Sequence, residues 1–131
     1  MGASLGGLIS LYTFFRQPTI FGFAGVLSPS LHFANTVILD YINQRDFVPG
    51  KIFLSVGNQE LTITRTKSQH IVREEFVNNV RKLRQLLAHK GYSTASLRYL
   101  EVANGEHNEL QWGRVVREAI RFFLDRETED F

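Results

Sequence analysis

The chain has 131 residues, 44% hydrophobic and 21% charged, the balance of a folded domain or part of one rather than of a disordered or fibrous chain. Its 15 Lys and Arg against 13 Asp and Glu leave a net charge of +2, too small a surplus to argue for a nucleic-acid or anionic-membrane partner. The lack of cysteine removes disulfides, thiol nucleophiles and Cys-based metal sites, and leaves the redox compartment open.

Residues 5–16 read as a helix that is apolar nearly all round, through Leu5, Leu8, Ile9, Leu11, Tyr12, Phe14 and Phe15, and Pro18 stops it. Such a helix is expected to be buried on several sides. It does not read as a signal-peptide core: Gly-Ala-Ser replaces the basic flank, and Phe15-Arg16-Gln17-Pro18 is no small-residue cleavage site. No segment reaches the roughly 18 to 20 apolar residues of a membrane span. A cytoplasmic location is the default expectation.

Phe21 to Leu27 reads as a short buried strand closed by the turn Ser28-Pro29-Ser30. Residues 33–43 predict a modest helix with Phe33, Val37, Tyr41 and either Leu39 or Ile42 inward. Pro49-Gly50 marks a boundary, and Lys51 to Val56 is a strand closed by Gly57-Asn58-Gln59-Glu60. Residues 61–69 are polar and predict a loop. A long amphipathic helix over 71–89 presents Val72, Phe76, Val80, Leu83 and Leu87 at helical spacing, with Gly91 as its stop. Its Arg81, Lys82 and Arg84 form a basic cluster expected on the solvated face. Residues 97–103 predict a strand. The last helix has Trp112, Val115, Val116, Ala119, Ile120 and Phe123 on one face. Helices alternating with buried strands predict an α/β fold, a parallel sheet covered on both faces. The chain reads as one incomplete domain over 1–131 with an acidic tail at 126–131.

The strongest local signal is Gly2-Ala3-Ser4-Leu5-Gly6-Gly7, a G-x-S-x-G turn followed at once by a helix. A sharp strand-to-helix turn of this kind strains the serine, and small residues two before and two after let neighbouring backbone pass close. The hydroxyl then stands over a helix N-terminus, whose free N–H groups favour developing negative charge. The Leu5 N–H is the expected oxyanion donor.

A serine at its normal pKa needs a base, and the base needs an orienting group. His32, His70 and His89 read as surface or capping residues. His107 lies in Asn104-Gly105-Glu106-His107-Asn108, between the final strand and the final helix, and is the expected base. Glu60, just after the strand 51–56, is the best candidate for the orienting acid, with a Ser4–His107 dyad as the alternative. Glu106 and Glu109 flank the histidine and are expected to point to solvent or to a positively charged substrate group. No cofactor motif and no pair of histidines at metal-ligand spacing occurs, so neither a cofactor nor a metal is expected.

On these residues the chain resembles the esterase branch of the α/β-hydrolase superfamily that includes enterochelin (ferric siderophore) esterases, feruloyl esterase modules, S-formylglutathione hydrolase (esterase D-like) and mycolyltransferases. The match runs from Gly2-Ala3-Ser4-Leu5-Gly6-Gly7-Leu8 through Phe21-Gly22, Ser28-Pro29-Ser30 and Ile52 to Glu60, and closes with Gly105-Glu106-His107-Asn108 and Trp112. The enterochelin-esterase-like subset is the nearest in pattern. The resemblance implies Ser4 as nucleophile, His107 as base, Glu60 as acid, and Ser28, Pro29 and Ser30 bordering the substrate pocket. Members carry several strands before the elbow, whereas only Met1 precedes Gly2. The resemblance therefore implies a partial α/β-hydrolase fold lacking its N-terminal strands, a helix 5–16 without part of its cover, and low activity in isolation. Three readings follow: a serine esterase acting on small-molecule esters, an acyltransferase of the same family, or an inactive hydrolase-like domain serving as an interaction or remnant protein. Homo-oligomerisation is left open.

Overall fold

The computed structural model describes residues 1–60 and 73–125. The chain alternates strictly between strand and helix: β1 (Gly2–Ala3), α1 (Leu5–Arg16), β2 (Phe23–Leu27), α2 (Val37–Asn43), β3 (Lys51–Gly57), α3 (Arg73–Lys90), β4 (Leu97–Val102) and α4 (Glu109–Leu124). The four strands form one parallel sheet in the order β1-β2-β3-β4. Each pair of successive strands is linked through a helix, α1, α2 or α3, as parallel pairing requires, and α4 follows the last strand.

The two faces of the sheet follow from side-chain alternation along each strand. Ala24 and Val26 of β2 and Ile52, Leu54 and Val56 of β3 point to the face covered by α1, α2 and α3. Leu27 and Phe53 point to the opposite face, where Val115 and Ala119 of α4 cover them. Phe14, Phe53 and Phe76 are wholly or almost wholly buried. Side chains of this size each contribute about 1.5–3 kcal/mol through burial. Lys51 closes the α4 side: its ammonium donates to the Phe122 carbonyl (3.1 Å) and the Asp125 carbonyl (3.2 Å), where a cation meets the negative end of the helix.

Three expectations change, in α2, α4 and α3. α1 is covered in part, as expected: Gly7, Leu11, Phe14 and Phe15 are buried, while Leu5 and Ile9 are exposed. Only one flank of this helix meets the sheet. α2 begins at Val37 rather than at 33, because Ala34, Asn35 and Thr36 hold φ angles of 50°, 57° and 60°, a left-handed turn that a right-handed helix cannot contain. Its inward residues are consequently Ile38 and Ile42, and Phe33 and Val37 are exposed. On α4 the buried line is Gln111, Val115 and Ala119, with Ile120 turned outward. Val77 joins Phe76, Val80, Leu83 and Leu87 on the buried side of α3. The polar loop expected at 61–69, Val72 and the acidic tail at 126–131 lie outside the described residues.

Candidate active site

The sheet register brings the site together. Ala3, Leu27, Ser55 and Leu100 pair in one row across the four strands, so the chain leaves every strand on the same edge. In open parallel sheets that carboxyl edge is where ligands bind. The turns after β1, β2, β3 and β4 carry Ser4, Ser28 to Ser30, Glu60 and His107 respectively.

Ser4 occupies the turn into α1 with φ 58° and ψ −121°, a conformation that a side-chain-bearing residue rarely adopts. Backbone bonds hold it there. The Ser4 N–H donates to the Leu27 carbonyl (3.0 Å), and the Ser4 carbonyl accepts from the N–H groups of Leu8 (3.1 Å) and Ser30 (3.1 Å). A Cβ on Gly2 would come within 2.6 Å of the Gly6 carbonyl group, and one on Gly7 within 3.0 Å of the Leu27 oxygen. Gly6 departs from expectation, since a Cβ there meets nothing within 4 Å. The close approaches that the motif needs are carried by Gly2 and Gly7.

The Ser4 Oγ lies 3.0 Å from His107 Nε2, and His107 Nδ1 lies 2.9 Å from Glu60 Oε2. Three residues on three separate turns thus form one continuous chain of polar contacts. Glu60 is fully buried. Its second oxygen, Oε1, accepts from the Ser28 hydroxyl and from the Gly57 N–H (2.9 Å), with the Gln111 amide nitrogen at 3.5 Å. The His107 ring is held edge-on by Trp112 (centroids 5.0 Å apart, 87°) and Phe76 (5.5 Å, 76°).

The Ser28-Pro29-Ser30 turn is buried throughout, and its two hydroxyls serve different neighbours. Ser30 Oγ lies 3.1 Å from Ser4 Oγ. Ser28, expected beside the pocket, is fully buried and turned toward Glu60 instead. Leu5 exposes its side chain at the start of α1, and its N–H belongs to the first turn, where N–H groups have no partner within the helix. An apolar groove of about 540 Å³ begins at Leu5 and runs along Ile9 and Tyr12, faced by Phe33, Val37 and Tyr41.

His32, read as a surface residue, is half-buried next to Phe76, and its Nδ1 is buried without a hydrogen-bond partner among the described residues. Burial first, then the neighbouring His107, push its pKa below 6.5, while Glu75 acts in the opposite sense. His89 is exposed near the end of α3, and Glu106 and Glu109 face solvent. His70 lies outside the described residues. Among the described residues no group of three His, Asp or Glu side chains is arranged to hold a metal ion, and no helix is long and apolar enough to cross a membrane.

Sequence reasoning passed over Gln111, Ser28 as a partner of Glu60, and the aromatic pair around His107. The signal for Gln111 was present: positions 111, 115 and 119 share one helix face, and a polar residue in an otherwise apolar stripe needs a buried partner. Nothing comparable marked Ser28, whose partner lies 32 residues further on.

Comparison with known proteins agrees with this architecture. The fold is similar to siderophore hydrolase EstB from Aspergillus nidulans (TM-score 0.69, 21% identity, 97% of this chain and 48% of that one). It is similar to the enterobactin esterase FES from Shigella flexneri (TM-score 0.71, 21% identity, 93% and 30%) and to the BES protein from Bacillus cereus (0.66, 22%, 93% and 43%). Among curated proteins, the uncharacterized protein YbbA of Bacillus subtilis (strain 168) is 28% identical over 97 residues, 74% of this chain and 37% of that one. The chain thus spans less than half the length of each of these relatives. A family model described as "Putative esterase" matches residues 1–123, nearly the whole chain, and the chain belongs to that family, on an α/β-hydrolase fold.

Proposed function

We propose that the chain carries the catalytic centre of a serine-type carboxylic-ester hydrolase, with Ser4 as nucleophile, His107 as general base and Glu60 as orienting acid. The observation that carries this reading is the pair of contacts on one imidazole, Nε2 at 3.0 Å from the Ser4 hydroxyl and Nδ1 at 2.9 Å from the Glu60 carboxylate. A carboxylate only accepts, so Glu60 favours the tautomer with its proton on Nδ1. Nε2 is then free to accept from Ser4.

In the first half-reaction Oγ bonds to the acyl carbon while its proton passes to Nε2. The carbonyl oxygen takes up the negative charge at the start of α1, where the Leu5 N–H donates and the helix dipole is favourable. The carbon–oxygen bond to the alcohol breaks as Nε2 returns the proton to the leaving oxygen. Water then attacks the acyl-Ser4 ester, again losing its proton to Nε2, and acid and free Ser4 are released. The groove that starts at Leu5 offers the organic part of an ester an apolar wall. EstB and FES are named for siderophore and enterobactin cleavage, which makes enterobactin the first natural ester to assay beside simple aryl esters.

A fluorophosphonate probe tests the reading. Covalent labelling of the chain, abolished in Ser4→Ala and in His107→Ala, is the expected result. A folded, unlabelled chain would instead favour an inactive hydrolase-like domain. Product analysis with added alcohols separates hydrolysis from acyl transfer.

A further inference from the structure

Where the turn that bears Glu60 meets the turn that bears His107, one buried side chain fills the seam between them. Gln111 sits in the first turn of α4, nearly fully buried, between Gly57 at the end of β3 and Gly105 after β4. The fit is tight on both sides: a Cβ built on Gly57 would lie 2.1 Å from Gln111 Nε2, and one built on Gly105 would lie 2.6 Å from it. Gly105 itself accepts from the Gln59 N–H (2.9 Å), so the two turns are joined beside the amide.

Within this packing the amide addresses one carboxylate oxygen. Its Nε2 donates toward Glu60 Oε1 at 3.5 Å, and its Oε1 lies 3.3 Å from the Ser28 hydroxyl, which itself donates to the same Glu60 oxygen. With the Gly57 N–H, every donor among the described residues other than His107 converges on Oε1. Oε2 is left facing the imidazole. A carboxylate free to rotate would exchange its two oxygens and lose that alignment.

We propose that Gln111 is a positioning residue: with Ser28 it locks the Glu60 carboxylate in the rotation that points Oε2 at His107 Nδ1. This rests on the esterase reading only for its kinetic consequence. The geometric claim, that Gln111 fixes the imidazole through Glu60, holds with or without turnover. The residue touches no reacting atom, and it acts on Ser4 only through Glu60 and His107.

The test pairs kinetics with a readout that needs no reaction. Gln111→Leu keeps the volume and removes both polar contacts. It is expected to slow fluorophosphonate labelling of Ser4 about tenfold, the scale of one hydrogen bond to a charged group. In a Glu60→Gln background the same substitution is expected to cause no further slowing, since residues acting through one another are not additive. Equal slowing in both backgrounds, or none in either, overturns the proposal.

The second readout is the His107 Nδ1–H signal in a ¹⁵N-edited NMR spectrum, expected to be sharp in the native chain and broadened by solvent exchange in Gln111→Leu. A signal that stays sharp overturns the proposal whether or not Ser4 reacts. An unreactive Ser4 together with a signal that Gln111→Leu broadens removes the esterase reading and leaves this one standing. Should Gln111→Leu fail to fold, Ser28→Ala removes a donor from the same oxygen and is expected to give the same non-additivity and the same broadening.

Discussion

Two glutamates near the carboxyl ends of adjacent strands, Glu60 after β3 and Glu101 in β4, have the same chemistry and opposite circumstances. Glu60 is fully buried and bonded to groups from three turns, Ser28, Gly57 and His107. Glu101 lies on the surface, where the Arg81 guanidinium grips both oxygens (2.7 and 3.0 Å) and the Tyr99 hydroxyl donates at 2.6 Å. Arg81 and then Tyr99 hold the Glu101 carboxyl at about 2, well below the usual range. The Arg81 side chain is more than half exposed, however, and exposed ion pairs are screened by water and salt. What separates the two is dehydration: a buried carboxylate must be satisfied by fixed donors, and fixed donors give it a direction.

The sharpest way to break this comparison is to neutralise each acid in turn. Glu60→Gln is expected to lower the labelling rate of Ser4 by up to about 10⁴-fold, as loss of the orienting acid does in serine triads, while Glu101→Gln leaves it unchanged. Equal rates for both variants would mean that Ser4 and His107 act as a dyad. A smaller effect is expected from disturbing the frame of Glu60. In Gly57→Ala the new methyl would lie 2.2 Å from the Gly105 carbonyl oxygen and must push the two turns apart. Misplacement on the scale of an ångström costs about 10²-fold in rate. Gly22→Ala, whose methyl meets nothing within 4 Å, is the matched control.

Smaller still are the pH effects, read as Tm against pH. His32 is held below 6.5 in the folded chain, chiefly by burial, so below that pH the unfolded chain binds more protons and stability falls. His32→Gln is expected to flatten the decline just below pH 6.5. For Glu101 the folded value near 2 against an ordinary 4.5 means that the stabilising contribution is complete above about pH 4.5 and lost as pH falls toward 2. The Tm difference between the native chain and Glu101→Gln is therefore expected to be small, to narrow from pH 5 to pH 3, and to shrink in 1 M salt.

Much of the site was legible because its signals are local. Gly2-Ala3-Ser4-Leu5-Gly6 announces a strained turn before a helix, and a histidine between the last strand and last helix of an alternating chain stands out from three others. The alternation itself was equally plain, since strands and helices bury residues at different periods. The differences share a cause. Helical spacing extended through Ala34, Asn35 and Thr36 would turn Phe33 and Val37 inward, but positive φ angles there reset the register. Periodicity puts Ile120 on the apolar face of α4 without fixing the centre of that face, which the width of the contact with β2 and β3 decides.

By itself the sequence determined that the chain alternates strands and helices on a parallel sheet, and it singled out Ser4, Glu60 and His107 as candidates. Only the tertiary structure decided their partners: that Nε2 faces Ser4 and Nδ1 faces Glu60, that Ser28 turns inward to the acid, and that Gln111 fills the gap between two glycines. The physical reason is that propensity and periodicity act over a few residues. A hydrogen bond across 103 positions of chain, as between Ser4 and His107, exists only once the strand register has aligned the turns that carry them.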